Sequence, residues 1–251
     1  MVGSTSSHDL SGKVIIVTGG ARGLGAASAR ALAEGGAKVY VTDIDKNAGD
    51  NLASAVGEGV PFLQHDVADA GSWKTVVDTV LANEGRLDGL LNNAAIFGDG
   101  DIESTTQEEM DRFYKVNQLG VLFGMQAVLE PMKKAGGGVI VNMSSIVGMR
   151  GIAGLLGYSA SKWAVRGMSR CAATEFAPFG IRVNSVYPGQ FTTRMLFDRS
   201  EETQAGILSI IPFGRFGKPE EMGDLMQFLM SDQSSYISGA EIVIDGAVMA
   251  G

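Results

Sequence analysis

Tyr158-Ser159-Ala160-Ser161-Lys162 opens a stretch of helical spacing that continues through Trp163, Ala164 and Met168. Residues four apart share a helix face, so the Tyr158 phenol and the Lys162 ammonium project together. A phenol with an ordinary pKa of about 10 is a poor base at neutral pH. An ammonium one turn away stabilises the phenolate and brings that pKa toward the working range. The pair points to proton exchange with an alcohol or carbonyl oxygen, although the same spacing also arises by chance. Thirteen residues upstream of Tyr158, Asn142-Met143-Ser144-Ser145 closes a run of apolar residues. A serine hydroxyl at the end of such a strand can donate to a substrate oxygen. Side chains alternate along a strand, so only one of Ser144 and Ser145 can do this.

A second constellation lies near the start. The run Val14–Thr18 leads into Gly19-Gly20-Ala21-Arg22-Gly23-Leu24-Gly25, followed at once by an amphipathic stretch bearing Ala26, Ala29, Leu32 and Ala33. Glycines there let the chain turn sharply and let backbone N–H groups approach a pyrophosphate at the helix N-terminus. The spacing is TGxxxGxG rather than GxGxxG, and its place in the first strand-to-helix turn gives it weight that a lone glycine cluster lacks. The next apolar run ends in Val41-Thr42-Asp43. Asp43 either caps a following helix or accepts hydrogen bonds from adenosine ribose hydroxyls, and the glycine turn favours the ribose. A carboxylate at that point repels a 2′-phosphate, which favours NAD(H) over NADP(H), whereas the Arg22 cation would attract one.

These residues need a scaffold that brings them to one edge. Short Val- and Ile-rich runs recur at Val14–Thr18, Lys38–Asp43, Val60–Asp66, Asp88–Asn92, Gly138–Ser144, Ile181–Val186 and Glu241–Asp245. They are apolar on consecutive residues, as in strands buried on both faces of a parallel sheet. Between them lie stretches of helical spacing, such as Val76, Val77, Val80 and Leu81. The pattern predicts one α/β domain over residues 12–251, a Rossmann-like doubly wound, seven-stranded parallel sheet flanked by helices, after a loose polar tail at 1–11. The stretch Phe191–Phe216 is longer than the roughly 2–6 residues usual for an α/β connection. It is either a packed pair of surface helices or a substrate loop closing over a ligand, and its mixed composition favours the loop.

Composition narrows the function. The 251 residues carry 20 Lys+Arg against 28 Asp+Glu, a net charge of −8, which argues against nucleic acid or an anionic membrane as partner. A single cysteine, Cys171, forms no intrachain disulfide, and two histidines, His8 and His65, cannot build a multi-histidine centre, so no metal is expected. No apolar run reaches the roughly 18 residues of a membrane span, and no secretory signal is evident; the expected location is cytoplasmic. The 35 glycines are about twice the ordinary share, so the backbone must approach something closely at many points.

Taken in order, Thr18–Gly25, Asp66-Val67, Asn92-Asn93-Ala94-Ala95, Asn117, Ser145, Tyr158 with Lys162, and Pro188-Gly189 with Thr193 resemble the short-chain dehydrogenase/reductase family over about residues 10 to 250. The resemblance implies that Tyr158 exchanges a proton with the substrate oxygen while Ser145 hydrogen-bonds the same oxygen. Lys162 would lower the Tyr158 pKa and bind the nicotinamide ribose. Asn117 would help hold a proton-relaying water, or else serve only as a polar kink residue. Gly19, Arg22, Gly23, Leu24 and Gly25 would face the pyrophosphate, and Asp66 and Val67 would bracket adenine. Asn93 would stabilise the central strand, Ala94 and Ala95 would pass the ribose, and Pro188, Gly189 and Thr193 would line the nicotinamide. Two positions depart from the family pattern: Ala95 and Ala247 stand where glycine is usual. The family is usually tetrameric or dimeric through two long helices, here about Gln107–Lys134 and Tyr158–Ala177, so a homo-oligomer is expected, tetramer before dimer.

Candidates for the substrate pocket are Phe97, Ile146, Ile152, Leu155, Gln190, Met195 and Leu196, with Arg150 and Arg194 expected to face water. An apolar pocket with one polar corner suits a hydrophobic secondary alcohol or ketone, and the chain is similar to bacterial hydroxysteroid and cyclic-alcohol dehydrogenases. The competing readings are a 3-oxoacyl thioester reductase using NADPH and a non-catalytic NAD-binding sensor. Asp43 and the net charge oppose the first, and the complete Ser145/Tyr158/Lys162 set opposes the second.

Overall fold

The computed structural model describes residues 9–250, apart from the side chains of Asp50, Asn51, Ala53, Ser54 and Met195. Seven strands are present among the described residues: β1 (Val14–Thr18), β2 (Lys38–Asp43), β3 (Phe62–Gln64), β4 (Gly89–Asn92), β5 (Gly138–Met143), β6 (Ile181–Pro188) and β7 (Glu241–Ile244). They pair in parallel in the order β3-β2-β1-β4-β5-β6-β7. Helices α1 (Gly23–Glu34), α2 (Leu52–Ala55), α3 (Ala70–Glu84), α4 (Gln107–Phe113), α5 (Gly120–Ala135), α6 (Leu156–Phe176), α7 (Arg194–Phe197), α8 (Glu201–Ser209) and α9 (Pro219–Met230) connect them.

The consecutive apolar residues of the strands explain the two layers. Every residue of β1 is buried, because Ile15 and Val17 pack with Leu32 of α1 and Met222 of α9 on one face. Ile16 faces the other way, toward Trp73 of α3, Val128 of α5 and Val165 of α6. At Gly223 of α9 an added Cβ would lie 2.8 Å from the Ala31 methyl and 3.0 Å from the Ala27 carbonyl, so glycine lets this helix reach the backbone of α1.

Several expectations shift. Only Phe62–Gln64 of the run Val60–Asp66 pairs with β2, so the edge strand is shorter than its composition implied. The long helix expected over Gln107–Lys134 is divided into α4, a π-turn over Tyr114–Leu119, and α5. Residues 1–8 of the expected tail lie outside the described residues. Leu10, assigned to the same tail, is instead fully buried in the α1 layer, its N–H donating to the Gly35 carbonyl. Ala247 is the single non-glycine with positive φ (72°) among the described residues, so the departure from glycine there carries backbone strain.

His65, just beyond β3, is buried, and its Nδ1 lies 2.9 Å from Thr42 Oγ1. Burial pushes its pKa down to about 4, against the opposing pull of the Asp66 and Asp69 carboxylates. The native state therefore keeps a neutral ring where the unfolded chain protonates at about 6.5. Stability from this group is complete above that value and is lost as the pH falls toward 4. At pH 5 the loss is about 2 kcal/mol. Urea unfolding at pH 7 and pH 5 should show a larger acid loss for the wild type than for His65→Asn, by about that amount; equal losses would refute this account.

Candidate active site

The end of β5 and the start of α6 bring the reactive groups together. Ser145 is extended (φ −170°) and caps a short 3-10 turn over Ile146–Gly148, its Oγ accepting the Val147 N–H at 3.4 Å. Ser144 turns away into the protein and donates to the Lys162 carbonyl at 3.0 Å. The two serines thus diverge as alternation requires. Tyr158 and Lys162 sit one turn apart on α6. Lys162 is buried; its Nζ donates to the Met143 carbonyl at 2.8 Å and lies 5.6 Å from the centre of the Tyr158 ring. Burial pushes Lys162 down to about 8. It also pushes the Tyr158 phenol up to about 12, with a hydrogen bond from Ser145 opposing. The expected lowering of the phenol by the ammonium is not seen here: desolvation penalises both charged forms, and on Tyr158 the Ser145 hydrogen bond alone opposes it.

Asn117 lies inside the π-turn and is almost fully buried. Its Oδ1 accepts the Ile96 N–H at 2.9 Å, while Nδ2 donates to the Ile96 carbonyl and to Ser161 Oγ, both at 3.0 Å. Ser161 in turn donates to the Tyr158 carbonyl at 2.7 Å. The side chain thereby ties the segment after β4 to the helix that carries Tyr158.

The glycine turn is held from below. Thr18 Oγ1 accepts the N–H groups of Asn93 (3.0 Å) and Ala94 (3.1 Å), and Asn93 Nδ2 donates to the Thr18 and Gly19 carbonyls, each at 2.9 Å. Gly19 has φ +59°, and a Cβ on it would fall 2.8 Å from Ala94 Cα. A Cβ on Gly25 would fall 2.2 Å from the Gly19 carbonyl oxygen. Gly23 differs: it has φ +58°, but nothing lies nearer to its absent Cβ than Thr193 Cγ2 at 3.8 Å. Gly23 also borders a groove of about 420 Å³ that runs along α1 between Ala55, the segment Thr192–Arg194 and the start of α9. No side chain caps α1 and its first turn holds no acid, so its N-terminal N–H groups are available to an anion. Leu24 is half-buried and Arg22 exposed.

Asp43 is buried at the tip of β2, its Oδ1 accepting the Asp45 N–H at 3.2 Å. The cap of the following turn is Asp45, which accepts from Asn47 N, so the capping alternative for Asp43 falls away. Asp66 is exposed and its Oδ1 accepts the Ala68 N–H at 2.9 Å; Val67 is buried against Gly120. Ala95 is exposed, so its methyl crowds no part of the protein. Pro188 ends β6, and Gly189 abuts Asp245, where a Cβ would come within 2.7 Å.

On the substrate side, Phe97 meets the Tyr158 ring edge-on at 5.0 Å. Ile152, Leu155 and Gln190 are half-buried. Ile146 and Leu196 are both buried, Ile146 against Ile211 and Val248. The Met195 side chain lies outside the described residues. Arg194 faces water as expected, but Arg150 is half-buried and its Nε has no hydrogen-bond partner among the described residues. The stretch 191–216 folds as α7 and α8 above a neck where Thr192 N donates to the Gly217 carbonyl and Gly217 N to the Gln190 carbonyl, each at 2.9 Å. Arg199, which no motif marked, crosses from this flap to Asp99 (3.9 Å) and lies 5.1 Å from the centre of the Phe97 ring. Thr18 was also unmarked as a site residue, although it is the first letter of the glycine motif.

Comparison with known proteins places this geometry. A family model described as enoyl-(acyl carrier protein) reductase matches residues 19–248. Cyclopentanol dehydrogenase of Comamonas testosteroni is 41% identical over 244 residues, which cover 95% of this chain and 97% of that protein. The 3-alpha-(or 20-beta)-hydroxysteroid dehydrogenase of Mycobacterium tuberculosis is 42% identical over 245 residues, covering 98% and 92%. The solved structure of levodione reductase superposes with a TM-score of 0.90 at 33% identity, covering 96% of this chain and 99% of that one. Likeness of this degree over almost the whole of both chains, on a sheet whose carboxyl edge gathers Ser145, Tyr158 and Lys162, leaves one assignment: the chain belongs to the short-chain dehydrogenase/reductase family and is an oxidoreductase acting on CH–OH groups.

Proposed function

We propose that the protein catalyses NAD(H)-dependent interconversion of a hydrophobic secondary alcohol and its ketone, with cyclic and steroid alcohols as the substrate class. The observation that carries the reading is Tyr158 held between Ser145 and Lys162 at the carboxyl edge of the sheet, with Phe97 against its ring. A dinucleotide fits the residues present: Gly23 borders open space, α1 offers uncapped N–H groups, and the buried Asp43 carboxylate stands at the tip of β2. The relatives named above act on cyclopentanol and on hydroxysteroids, which supports the substrate class.

A bound nicotinamide supplies the hydride acceptor in oxidation and the donor in reduction. Tyr158 Oη exchanges the proton of the substrate oxygen, and Ser145 donates a hydrogen bond to that oxygen as charge develops on it. With its pKa up to about 12, the phenol is held neutral, the form that donates in ketone reduction. Alcohol oxidation needs the phenolate, and the Lys162 ammonium is placed to stabilise it. The Met143 carbonyl fixes that ammonium, which at a pKa of about 8 stays charged at neutral pH. Asn117 holds the Tyr158 helix in place through Ser161. On the cofactor side, Asp43 accepts from the adenosine ribose, Asp66 and Val67 bracket adenine, and Thr193 reaches the nicotinamide. A cytoplasmic homo-oligomer, tetramer before dimer, completes the reading; exposed Tyr114 and Trp163 on the π-turn and α6 support the contact through these helices.

The description of the family model raises acyl-thioester reduction as a second reading. Oxidation of cyclopentanol and hydroxysteroids, followed by the appearance of NADH, separates the two; turnover confined to acyl thioesters would overturn the proposal. Tyr158→Phe should lower turnover by at least about a hundredfold with NADH binding retained in a fluorescence titration, and persistent turnover would remove Tyr158 from the mechanism. Kinetics with NADH and NADPH should favour NADH. Asp43→Asn should erode that preference by roughly tenfold or more, the worth of hydrogen bonds to a charged group, and a preference for NADPH in the wild type would reverse the cofactor assignment.

A further inference from the structure

His65 has no part in the chemistry assigned above, yet three walls of the adenosine end meet at it. Its backbone N–H donates to the Asp43 carbonyl at 2.8 Å, and its ring Nδ1 lies 2.9 Å from Thr42 Oγ1. The Thr42 carbonyl in turn accepts the N–H of Gly20 in the glycine turn at 3.2 Å. On the other side the imidazole meets the Trp73 ring at 88°, centroids 4.3 Å apart, and Trp73 Nε1 donates to the Val67 carbonyl at 3.0 Å. Trp73 is backed closely by α5, since a Cβ on Gly124 would fall 2.8 Å from its ring. His65 Nε2 is buried with no hydrogen-bond partner among the described residues. A buried polar atom left that way costs stability, and an apolar side chain of similar volume would avoid the cost.

Resting on the dinucleotide reading, we propose that His65 is a positioning residue for the adenosine end of the cofactor: it locks the tip of β2 that carries Asp43 to the loop that carries Asp66 and Val67. A wall already rigid loses less freedom when a ligand binds, so the affinity of the adenosine half depends on it. The reacting end, on the far side of β1, does not.

The test separates the two ends of the cofactor. Wild type, His65→Leu and His65→Asn are compared for NADH binding by fluorescence titration, for competitive inhibition by 5′-AMP, and for turnover with reduced nicotinamide mononucleotide, which lacks adenosine. Leucine should raise the NADH Kd and the AMP inhibition constant about tenfold, equivalent to one or two lost contacts. Its kcat at saturating NADH and its turnover with the mononucleotide should stay within about twofold of wild type. Asparagine, which can place an amide nitrogen beside Thr42 Oγ1, should restore most of the affinity. Thr42→Val removes only the hydroxyl; it should give a smaller shift in the same direction and stands in if the leucine variant does not fold. Unchanged AMP inhibition, or equal losses with dinucleotide and mononucleotide, overturns the proposal and leaves the dinucleotide reading standing. A wild type that binds neither NADH nor AMP overturns that reading, and the proposal with it.

Discussion

The carboxyl edge depends on how β1 and β4 part. Where neighbouring strands separate, their backbone groups lose the ladder that satisfied them, and buried groups left so are costly. Here Asn93 and Thr18 supply the missing partners: one amide donates to two carbonyls of the glycine turn, and one hydroxyl accepts two N–H groups after β4. The same contacts fix how near the turn comes to Ala94, which is why Gly19 tolerates no Cβ. With that junction set, β2 diverges on one side and β5 on the other, and the crevice between them is where ligands bind in open α/β sheets.

Burying an ammonium is expensive, and among the described residues Lys162 Nζ finds the Met143 carbonyl as its acceptor. The cost is visible as the downward push on Lys162 and the upward push on Tyr158. Both follow from one cause, the removal of water, and the same removal strengthens the attraction between an ammonium and a phenolate. Asn117 bears on the helix of Tyr158 and Lys162 mechanically, tying it through Ser161 to the segment after β4 at Ile96.

What was legible in the sequence was whatever local residue types dictate. Consecutive Val and Ile gave the buried strands, glycine spacing gave the turn, and the four-residue step gave the Tyr158–Lys162 face. The pattern could not show that β3 stops at Gln64, because its length is decided by register with β2. Nor could it show the π-turn at Asn117, whose amide is committed to Ile96 and Ser161 far along the chain. Asp43 and Asp45 are both suited to capping, and only the fold decides that Asp45 caps and Asp43 is left to the crevice. Nor could apolar composition show how deeply Ile146 and Leu196 are buried, since that depends on packing such as that of Ile146 against Ile211 and Val248.

The stretch 191–216 is tied to the rest of the protein at two places. Its neck is rigid: two backbone hydrogen bonds join Gln190 and Thr192 to Gly217, and Phe191 lies on Gly217 so closely that a Cβ there would come within 2.7 Å of the ring. Its other end is packed as well as bridged: Ile211 is buried with Ile146 and Val248, while Arg199 adds a cation–ring contact with Phe97 and a long ion pair to the exposed Asp99. Contacts of those kinds at a partly exposed position are worth about 1 kcal/mol or less each, little more than thermal energy. Burial of Ile211 against Ile146 and Val248 therefore holds the stretch more firmly than Arg199 does. Phe97 is also the ring that lies against Tyr158, so the stretch 191–216 reaches the immediate neighbour of Tyr158 through Arg199.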